Sequence, residues 1–514
     1  MKRYVNLLVI LLFILPLTLS GCGQNEKSSQ SSNDQSSSAE NSSTQSSITQ
    51  NSCIQNSSAQ DSNTQNSTSL NTPAVTPAEQ NGPDDQQEQE ATKTPEDKII
   101  NVWSYTHELT GIIEKFKELH PNFGYEIKLT DLSNSDISMQ TLLDKALAAG
   151  GTDMPDIYAV ESAYTVKYTK GEASKYAAAY IDLGIDIDKL LREASVAKYV
   201  VDLGTNPEGK VVGLGYQSTS GAFVYRRSIA KKVWGTDDPS KIKAIVGPGW
   251  DKFLIAAAGL KAKGYRICSS ADDIWQVLNM NADQAWVVDG KLFIDPKREA
   301  FLDLAMELKE KGYINNTRSW TDAWYKDMNN EGGKKVFGYF GPSWFINYVM
   351  VSNSGGKTAG EGTYGDWAIC DSPVSFYWGG TWILANKDTR EKDGVAEILK
   401  WITLDTSETG LQYLWANGKL GYGAKDTVIS AAVMKVSDGK NDFLGGQNQF
   451  DAFISAGNNT YCRNATKYDE RISFYWIEQA HEYMDGKKSR EQAIADFKKS
   501  ATEYIDNVLK GYGS

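Results

Sequence analysis

Apolar and polar residues alternate along the chain at two spacings, which predict strands and helices in turn from residue 99 onward. Residues 99–105, 125–129 and 155–160 are typical of strands, because their apolar side chains form short buried runs or alternate with polar ones. Residues 109–119 and 139–147 carry apolar side chains at helical spacing. Strands that alternate with helices predict a parallel sheet with helices on both faces. The expected fold class is therefore α/β.

Ligands of such sheets bind beyond the carboxyl ends of the strands. Residues 104–108 and 161–164 follow two of the predicted strands and are the first candidates for a site. Further along, residues 210–214 and 223–225 also read as strands. These elements give the foldable part of the chain enough secondary structure for a large α/β body.

Three features of the first 22 residues indicate export. Lys2 and Arg3 precede an apolar run from Val5 to Leu19, which is too short to span a bilayer as a permanent helix. The following tetrapeptide, Leu19-Ser20-Gly21-Cys22, resembles the bacterial lipobox. The resemblance implies a lipoprotein signal peptide at residues 1–21, removed by cleavage, and an acylated Cys22 as the membrane anchor. Two acyl chains would bury enough methylene groups, at about 0.8 kcal/mol each, for stable anchoring.

Residues 22–97 then predict a disordered tether. They are mostly Ser, Asn, Gln and Thr and contain no aromatic residue, so they cannot bury enough surface to offset their chain entropy. A flexible coil of this length has ends roughly 50 Å apart. Cys53 lies within the tether, and the sequence suggests no partner for it.

The remaining body, residues 98–514, contains all 14 Trp residues. It is too long for one hydrophobic core, so two domains are expected. Cys268, Cys370 and Cys462 are odd in number and widely spaced, which favours buried thiols over a disulfide framework. The net charge of −12 argues against nucleic acid as a partner.

Motifs for catalysis, metal binding or a cofactor are missing from the sequence. His107, His120 and His481 do not stand at metal-ligand spacing, and no nucleophile elbow, phosphate loop or complete dinucleotide fingerprint occurs. Carboxylates are plentiful, but nothing singles out a pair for glycoside hydrolysis. We therefore expect no enzymatic activity and no cofactor, and the sequence singles out no metal ligands.

Nine segments, in order along the body, resemble the extracellular solute-binding proteins of carbohydrate ABC importers, the family 1 group that includes maltose-binding protein. These segments are Trp103-Ser104-Tyr105, Phe116 to Pro121, Ala148 to Gly151, Pro155 to Glu161, Gly209-Lys210, Phe223 to Arg227, Gly249 to Phe253, Gly365-Asp366-Trp367 and Trp378 to Thr381. The resemblance implies a periplasmic-binding-protein-like fold, with two α/β lobes joined by hinge strands around a ligand cleft. Lobe 1 would hold about 98–216 and 380–428, and lobe 2 about 217–379 and 429–514. The hinges would lie near Gly215–Gln217 and Trp378–Gly380.

The function that this resemblance implies is capture of a sugar or oligosaccharide outside the cell and its delivery to the transmembrane subunits of an ABC permease. The protein would be a monomer, lipid-anchored on the extracellular face of the bacterial cytoplasmic membrane. A surface glycoside hydrolase, a sugar-binding lectin or sensor, and a receptor for peptides or polyols remain alternatives. Each of them is compatible with a ligand cleft.

A sugar offers an apolar face of C–H groups and an edge of hydroxyls, so its site needs flat aromatic rings and planar polar groups. Residues of these kinds that follow strands, lie in apparent loops or adjoin the presumed hinges are the candidate ligand-binding residues. They are Trp103, Glu108, Glu161, Tyr164, Gln217, Asp273, Trp275, Trp324, Trp344, Tyr377, Trp378, Gly379, Gly380 and Trp476.

Several of these candidates depend on an expected local structure. Asp273 and Trp275 are expected in a loop between helices. Trp320 and Trp324 are four residues apart, which predicts one helical face, with Trp320 in the core. Trp476 is a candidate only because its segment resembles the C-terminal aromatic segment that contacts sugar in the maltose-binding relative.

Overall fold

The structure is a computed structural model that describes residues 98–421, 423–462 and 464–510. The predicted signal peptide, Cys22, the tether and Cys53 lie outside these ranges. Described residues 98–135 and 139–510 belong to one compact unit.

The described strands, in chain order, are β1 (Ile99–Ser104), β2 (Glu126–Asp131), β3 (Ile157–Glu161), β4 (Gly213–Gly215), β5 (Ala222–Arg226), β6 (Val287–Val288), β7 (Lys291–Leu292), β8 (Gly338–Gly341), β9 (Trp367–Asp371), β10 (Thr381–Ala385), β11 (Lys440–Asn441) and β12 (Gln447–Asn448).

The α-helices are α1 (Glu108–Leu119), α2 (Met139–Ala149), α3 (Ser162–Thr169), α4 (Ile187–Ala194), α5 (Lys198–Gly204), α6 (Arg227–Trp234), α7 (Pro239–Val246), α8 (Trp250–Ala262), α9 (Asp272–Met280), α10 (Pro296–Glu310), α11 (Asp322–Met328), α12 (Lys392–Thr403), α13 (Leu411–Ala416), α14 (Ala431–Val436), α15 (Phe450–Asn459), α16 (Asp469–Met484) and α17 (Arg490–Leu509). A π-helical turn covers Phe345–Met350.

The first sheet confirms the parallel start that the sequence predicts. Its strand order is β2-β1-β3-β10-β4, and β1 pairs in parallel with both β2 and β3. Strand β10 is antiparallel to β3 and β4, although it follows them by more than 160 residues. The core of this sheet combines strand residues such as Ile100 and Val102 with helix residues such as Ile112 and Leu399. The expected α/β class is confirmed.

A second, smaller sheet has the order β8-β5-β9, with β5 antiparallel to both neighbours. Alternate residues of β5 face opposite sides, as a strand requires. Phe223 and Tyr225 pack into one hydrophobic cluster, whereas Ala222 and Val224 pack into another. This sheet is therefore buried on both faces.

The chain crosses between the two sheets at residues 216–221 and returns at residues 372–380. The two crossings run antiparallel to each other. Gly221 N donates to Phe376 O at 2.8 Å, and Trp378 N donates to Thr219 O at 3.0 Å. These bonds tie the crossings into one two-stranded connection, and a side chain that leaves it can face a ligand held between the sheets.

The structure also shows the state of the cysteines, the start of α8 and the character of the helices. The three body cysteines are free and buried, as predicted. Helix α8 begins at Trp250 with Gly249 as its cap, and Asp251 lies in its first turn. Within the part of the chain that the structure covers, no helix combines the length and the apolar character needed to span a bilayer.

Candidate functional site

A cavity of about 380 Å³ opens where the first sheet, the connection and the second sheet meet. Its lining includes residues after β1, a residue at the end of β3 and residues of the connection. Side chains from the second-sheet side complete the lining. The lining residues are Tyr105, Thr106, Glu108, Glu161, Gln217, Trp320, Trp344, Tyr348, Trp378, Gly379, Gly380 and Thr381.

Three tryptophans form one side of the cavity, here called the indole wall: Trp320, Trp344 and Trp378. The ring of Trp378 lies edge-on to both others, with centroids 5.0 Å from Trp344 and 5.7 Å from Trp320. The indole N–H of Trp344 donates to the backbone oxygen of Trp378 at 2.9 Å. Edge-on packing and this hydrogen bond hold the rings in place, and stacking on such rings costs a ligand site little side-chain entropy.

The glycine pair next to Trp378 is required by the backbone. Gly379 and Gly380 have φ of 68° and 109°, which L side chains rarely adopt. A Cβ on Gly380 would lie 2.7 Å from Cγ2 of Thr219, and one on Gly379 would lie 3.4 Å from the ring of Trp344. The pair therefore lets the connection pass close under the indole wall.

Trp320 corrects a prediction made from spacing. Helix α11 begins at Asp322, so Trp320 precedes it and does not share a helical face with Trp324. Trp320 has φ of 66° and is 38% exposed, whereas Trp324 is buried. A positive φ at a bulky residue is strained, and such strain is common at ligand sites. Trp320 belongs to the cavity and not, as predicted, to the core.

Two carboxyl groups lie among the lining residues from the first-sheet side. Oε1 of Glu108, at the start of α1, accepts from the hydroxyl of Tyr216 at 2.7 Å. Oε2 of Glu161 accepts from the backbone N–H of Ala163 at 2.7 Å and so caps α3. Burial raises the pKa of Glu108 to about 7 and the pKa of Glu161 to about 8. Both groups can therefore change protonation when a ligand binds.

The remaining polar groups suit hydroxyl recognition. The Tyr105 hydroxyl bonds to Oγ1 of Thr381 at 2.8 Å. Gln217 is 7% exposed, and no described residue forms a hydrogen bond with its side-chain amide. An amide that lines the cavity without a partner among the described residues can hydrogen-bond a polar ligand group. The cavity thus has planar acceptors and donors as well as flat rings in its lining.

The structure brings seven of the predicted ligand-binding residues together around this cavity: Glu108, Glu161, Gln217, Trp344, Trp378, Gly379 and Gly380. Seven others do not line it: Trp103, Tyr164, Asp273, Trp275, Trp324, Tyr377 and Trp476. For those seven, ligand contact stays a prediction.

Four of the residues outside the lining belong to the second-sheet side. The expectation of a loop around Asp273 and Trp275 is wrong, because both lie in α9. Oδ1 of Asp273 accepts from the indole N–H of Trp324 at 2.8 Å, so these two side chains bind each other. Trp275 and Trp476 are buried, with ring centroids 6.2 Å apart.

The other three have separate positions. Trp103 is half-buried on β1, and Tyr164 is 38% exposed on α3. Tyr377 stacks on Tyr199 at 5.4 Å and lines a different cavity of about 350 Å³. Tyr377 and Trp378 are consecutive, and they line different cavities because side chains alternate along the extended connection.

Five lining residues are absent from the predicted set: Tyr105, Thr106, Trp320, Tyr348 and Thr381. Tyr105 and Thr106 fall inside the stretch after β1 that the sheet argument indicates, and Thr381 adjoins the glycine pair. Tyr348 lies in the π-helical turn, which no sequence pattern predicts. The described residues contain no cluster of three or more His, Cys, Asp or Glu side chains that could hold a metal ion.

Comparison with solved structures establishes the fold. A crystal structure of an extracellular solute-binding protein of family 1 matches with a TM-score of 0.65 and 18% identity, covering 79% of this chain and 100% of that one. The sugar-binding protein MalE from Xanthomonas citri matches with a TM-score of 0.60 and 13% identity, covering 81% and 99%. The galacto-N-biose-/lacto-N-biose I-binding protein of Bifidobacterium longum, in complex with lacto-N-biose, has a TM-score of 0.56 and 16% identity, covering 80% and 97%. The periplasmic-binding-protein-like fold of two α/β lobes is thereby confirmed.

Sequence comparison with curated proteins finds no match. A family model described as bacterial extracellular solute-binding protein matches residues 111–424, more than half of the chain. This segment includes β5, β9, β10 and most of the residues around the cavity. The chain belongs to the bacterial extracellular solute-binding proteins.

Proposed function

We propose that the protein is a lipid-anchored receptor that captures a sugar or oligosaccharide outside the cell and delivers it to an ABC import permease. The observation that carries this proposal is that the indole wall and Glu108, Glu161 and Gln217 line one cavity. The chemistry of the site is reversible binding, without a covalent step.

The cavity suits a pyranose for two reasons. Indole rings pack well against the C–H face of a sugar ring and present a large, rigid surface. Carboxyl and amide groups hydrogen-bond the hydroxyl edge and set specificity. The volume of about 380 Å³ lies within the range of about 300–1,000 Å³ that is usual for small-molecule sites. Sugar complexes of similar structures, such as that with lacto-N-biose, support the choice of ligand class.

Capture would proceed by closure of two lobes, of about 98–216 with 380–428 and about 217–379 with 429–514. The hinges would be near Gly215–Gln217 and Trp378–Gly380, within the antiparallel crossings. A ligand favours the closed state only through the extra contacts it makes there. Trp378 and Gln217 belong to the crossings themselves, so a ligand that binds them couples directly to the hinges.

The membrane anchor would be Cys22, with the tether of residues 22–97 holding the monomeric body outside the cytoplasmic membrane. Replacing the anchor tests this directly. Cys22→Ala should move the protein from the membrane fraction to the medium, and labelled palmitate should enter the wild type alone. Permease genes next to this gene would support import, whereas their absence would favour a lectin or sensor.

The ligand class is tested by a thermal-shift screen of the full-length chain against mono- and oligosaccharides, followed by calorimetry. A rise in melting temperature for one glycan class is the expected result, because ligand binding to the folded state stabilises it. No shift with any glycan would contradict sugar binding and direct the search to peptides and polyols.

A surface glycoside hydrolase is the second candidate, because two carboxyl groups with raised pKa line the same cavity. The test is to incubate the protein with its glycan for a long time, recover the glycan and measure its length. Intact glycan supports a receptor, and shortened glycan would identify a hydrolase.

A further inference from the structure

The charges of the cavity are one-sided. Glu108 and Glu161 line it, but no described Lys, Arg or His side chain does, and neither carboxyl forms an ion pair with a described residue. Their hydrogen bonds come from neutral donors, the Tyr216 hydroxyl and the Ala163 N–H. A buried carboxylate is stable only when a positive charge or several donors compensate it.

Neighbouring charges make the imbalance larger. Asp426 acts on Glu108 and Glu470 acts on Glu161, and both raise the pKa of the carboxyl next to them. His107, adjacent to Glu108 in sequence, points to Asp131, with Nδ1 and Oδ2 2.6 Å apart.

Burial raises the pKa of Glu470 and of Tyr164, and the positive charge of Arg471 partly opposes this rise. Arg471 does not line the cavity. The compensating charge for Glu108 and Glu161 is therefore not supplied by the described lining.

The rings of the indole wall also lack a cationic partner among the described residues. Elsewhere in the molecule, indole rings lie under guanidinium groups: Arg298 lies 4.2 Å from the ring centroid of Trp286, and Arg226 lies 5.1 Å from that of Trp367. Among the described residues, no Lys or Arg lies over a ring of the indole wall. Tryptophan is the side chain that attracts a cation most strongly through its ring face.

A third observation points to a ligand independently of charge. Gln217 lines the same cavity, is more than nine-tenths buried and has an amide without a described partner. Its amide can therefore hydrogen-bond a polar group of a ligand in the cavity. The lining therefore suits a ligand that carries both hydroxyl groups and a positive charge.

We infer that the sugar captured here carries a free, protonated amino group, as in a hexosamine that is not acetylated. The ammonium would lie between Glu108, Glu161 and the indole wall, and ring hydroxyls would reach Gln217. This inference rests on the proposed function, since it names the substrate class of the same cavity. In the empty protein the two carboxyls have pKa values of about 7 and about 8. A bound cation favours their ionised forms, so binding at neutral pH should release protons to the buffer.

Calorimetry on the full-length chain tests the inference with sugars that differ at one position. Glucosamine, N-acetylglucosamine and glucose form one set, and the chitosan dimer, N,N′-diacetylchitobiose and cellobiose form another. The amine should bind at least tenfold more tightly than its neutral counterparts. Titrations in buffers of different ionisation enthalpy should show proton release for the amine alone.

Two variants and a matched control locate the effect. Glu108→Gln and Glu161→Gln should each reduce the preference for the amine to about threefold or less, with binding of neutral sugars changed far less. Glu114→Gln, an exposed position on the same helix as Glu108, should leave the preference unchanged.

The outcomes separate this inference from the proposed function. Equal or tighter binding of the neutral sugars by the wild type would overturn the inference and leave a sugar receptor in place. Absence of binding by every sugar in both sets would overturn the inference together with the proposed function.

Discussion

Two groups of tryptophans have neighbouring rings but different surroundings. One group, here called the core indole cluster, consists of Trp275, Trp286 and Trp476. The ring centroid of Trp476 lies 6.2 Å from that of Trp275 and 5.9 Å from that of Trp286. In the indole wall, the corresponding distances are 5.0 and 5.7 Å. Ring spacing therefore does not separate a structural cluster from a ligand site.

What separates them is the face that each group leaves uncovered. Trp476 is 1% exposed, and its ring packs edge-on against Phe497 at 4.8 Å, so its indole is enclosed by side chains of the core. Trp320 keeps 38% of its surface open beside two carboxyl groups and an amide. Aromatic residues serve stability where other apolar groups enclose them, and recognition where polar groups share an open cavity with them.

The largest effect is expected where the core cluster is broken. Trp476→Ala should lower the free energy of unfolding by about 3–5 kcal/mol, because it removes a fully buried indole and leaves a cavity. Urea denaturation followed by circular dichroism measures this loss. Ligand affinity of the folded fraction should change little, so a large loss of affinity at unchanged stability would place Trp476 in the site instead.

A smaller effect is expected from the backbone under the indole wall. Gly380→Ala should lower the free energy of unfolding by about 3 kcal/mol, because its φ is positive and the added Cβ would lie 2.7 Å from Thr219. Gly486→Ala is the matched control, since its φ is also positive but its Cβ would meet nothing within 4 Å. It should cost about 1 kcal/mol. An equal loss of unfolding free energy in the two variants would show that the close approach to Thr219 does not add to the cost of the substitution.

The same comparison explains how far the sequence could predict the structure. The order of β1, α1, β2, α2 and β3 follows from periodicity, because those residues pack mainly against chain neighbours in one parallel unit. The rule that ligands bind beyond the carboxyl ends of the strands indicates Glu108 and Glu161, and both line the cavity.

The fate of each tryptophan could not be predicted in this way. Trp320 and Trp324 fit a helical spacing, but the helix begins only at Asp322, and tertiary contacts decide which ring is buried. Trp275 lies in α9 and meets Trp476 across 200 residues of sequence, a distance that local patterns do not encode. Local periodicity predicts the first three strands of the sheet. Contacts between residues that are distant in sequence determine which tryptophans line the cavity.

The indole wall can be tested at its centre. Trp378→Ala should weaken binding of the glycan found in the screen at least tenfold, or about 1.4 kcal/mol, while the protein stays folded, because Trp378 contacts both other rings of the wall. Calorimetry measures the affinity, and circular dichroism checks the fold. Trp250→Ala removes another half-buried indole, which packs against Phe253 at 5.5 Å outside the cavity lining, and should keep wild-type affinity. Unchanged binding by a folded Trp378 variant would remove Trp378 from the site.

A dependence of stability on pH is also expected, and it comes from the carboxyl groups of the cavity. A carboxyl whose pKa is higher in the folded than in the unfolded chain binds more protons when folded, so its contribution to stability falls as the pH rises between the two values. For Glu161 this interval runs from the ordinary value of 4.5 to about 8, with a slope of no more than about 1.4 kcal/mol per pH unit. Glu161→Gln should flatten the curve of unfolding free energy against pH in this interval, and Glu114→Gln should not. Parallel curves for wild type and Glu161→Gln would mean that the cavity already compensates this carboxylate without a ligand, and the site would then favour neutral sugars.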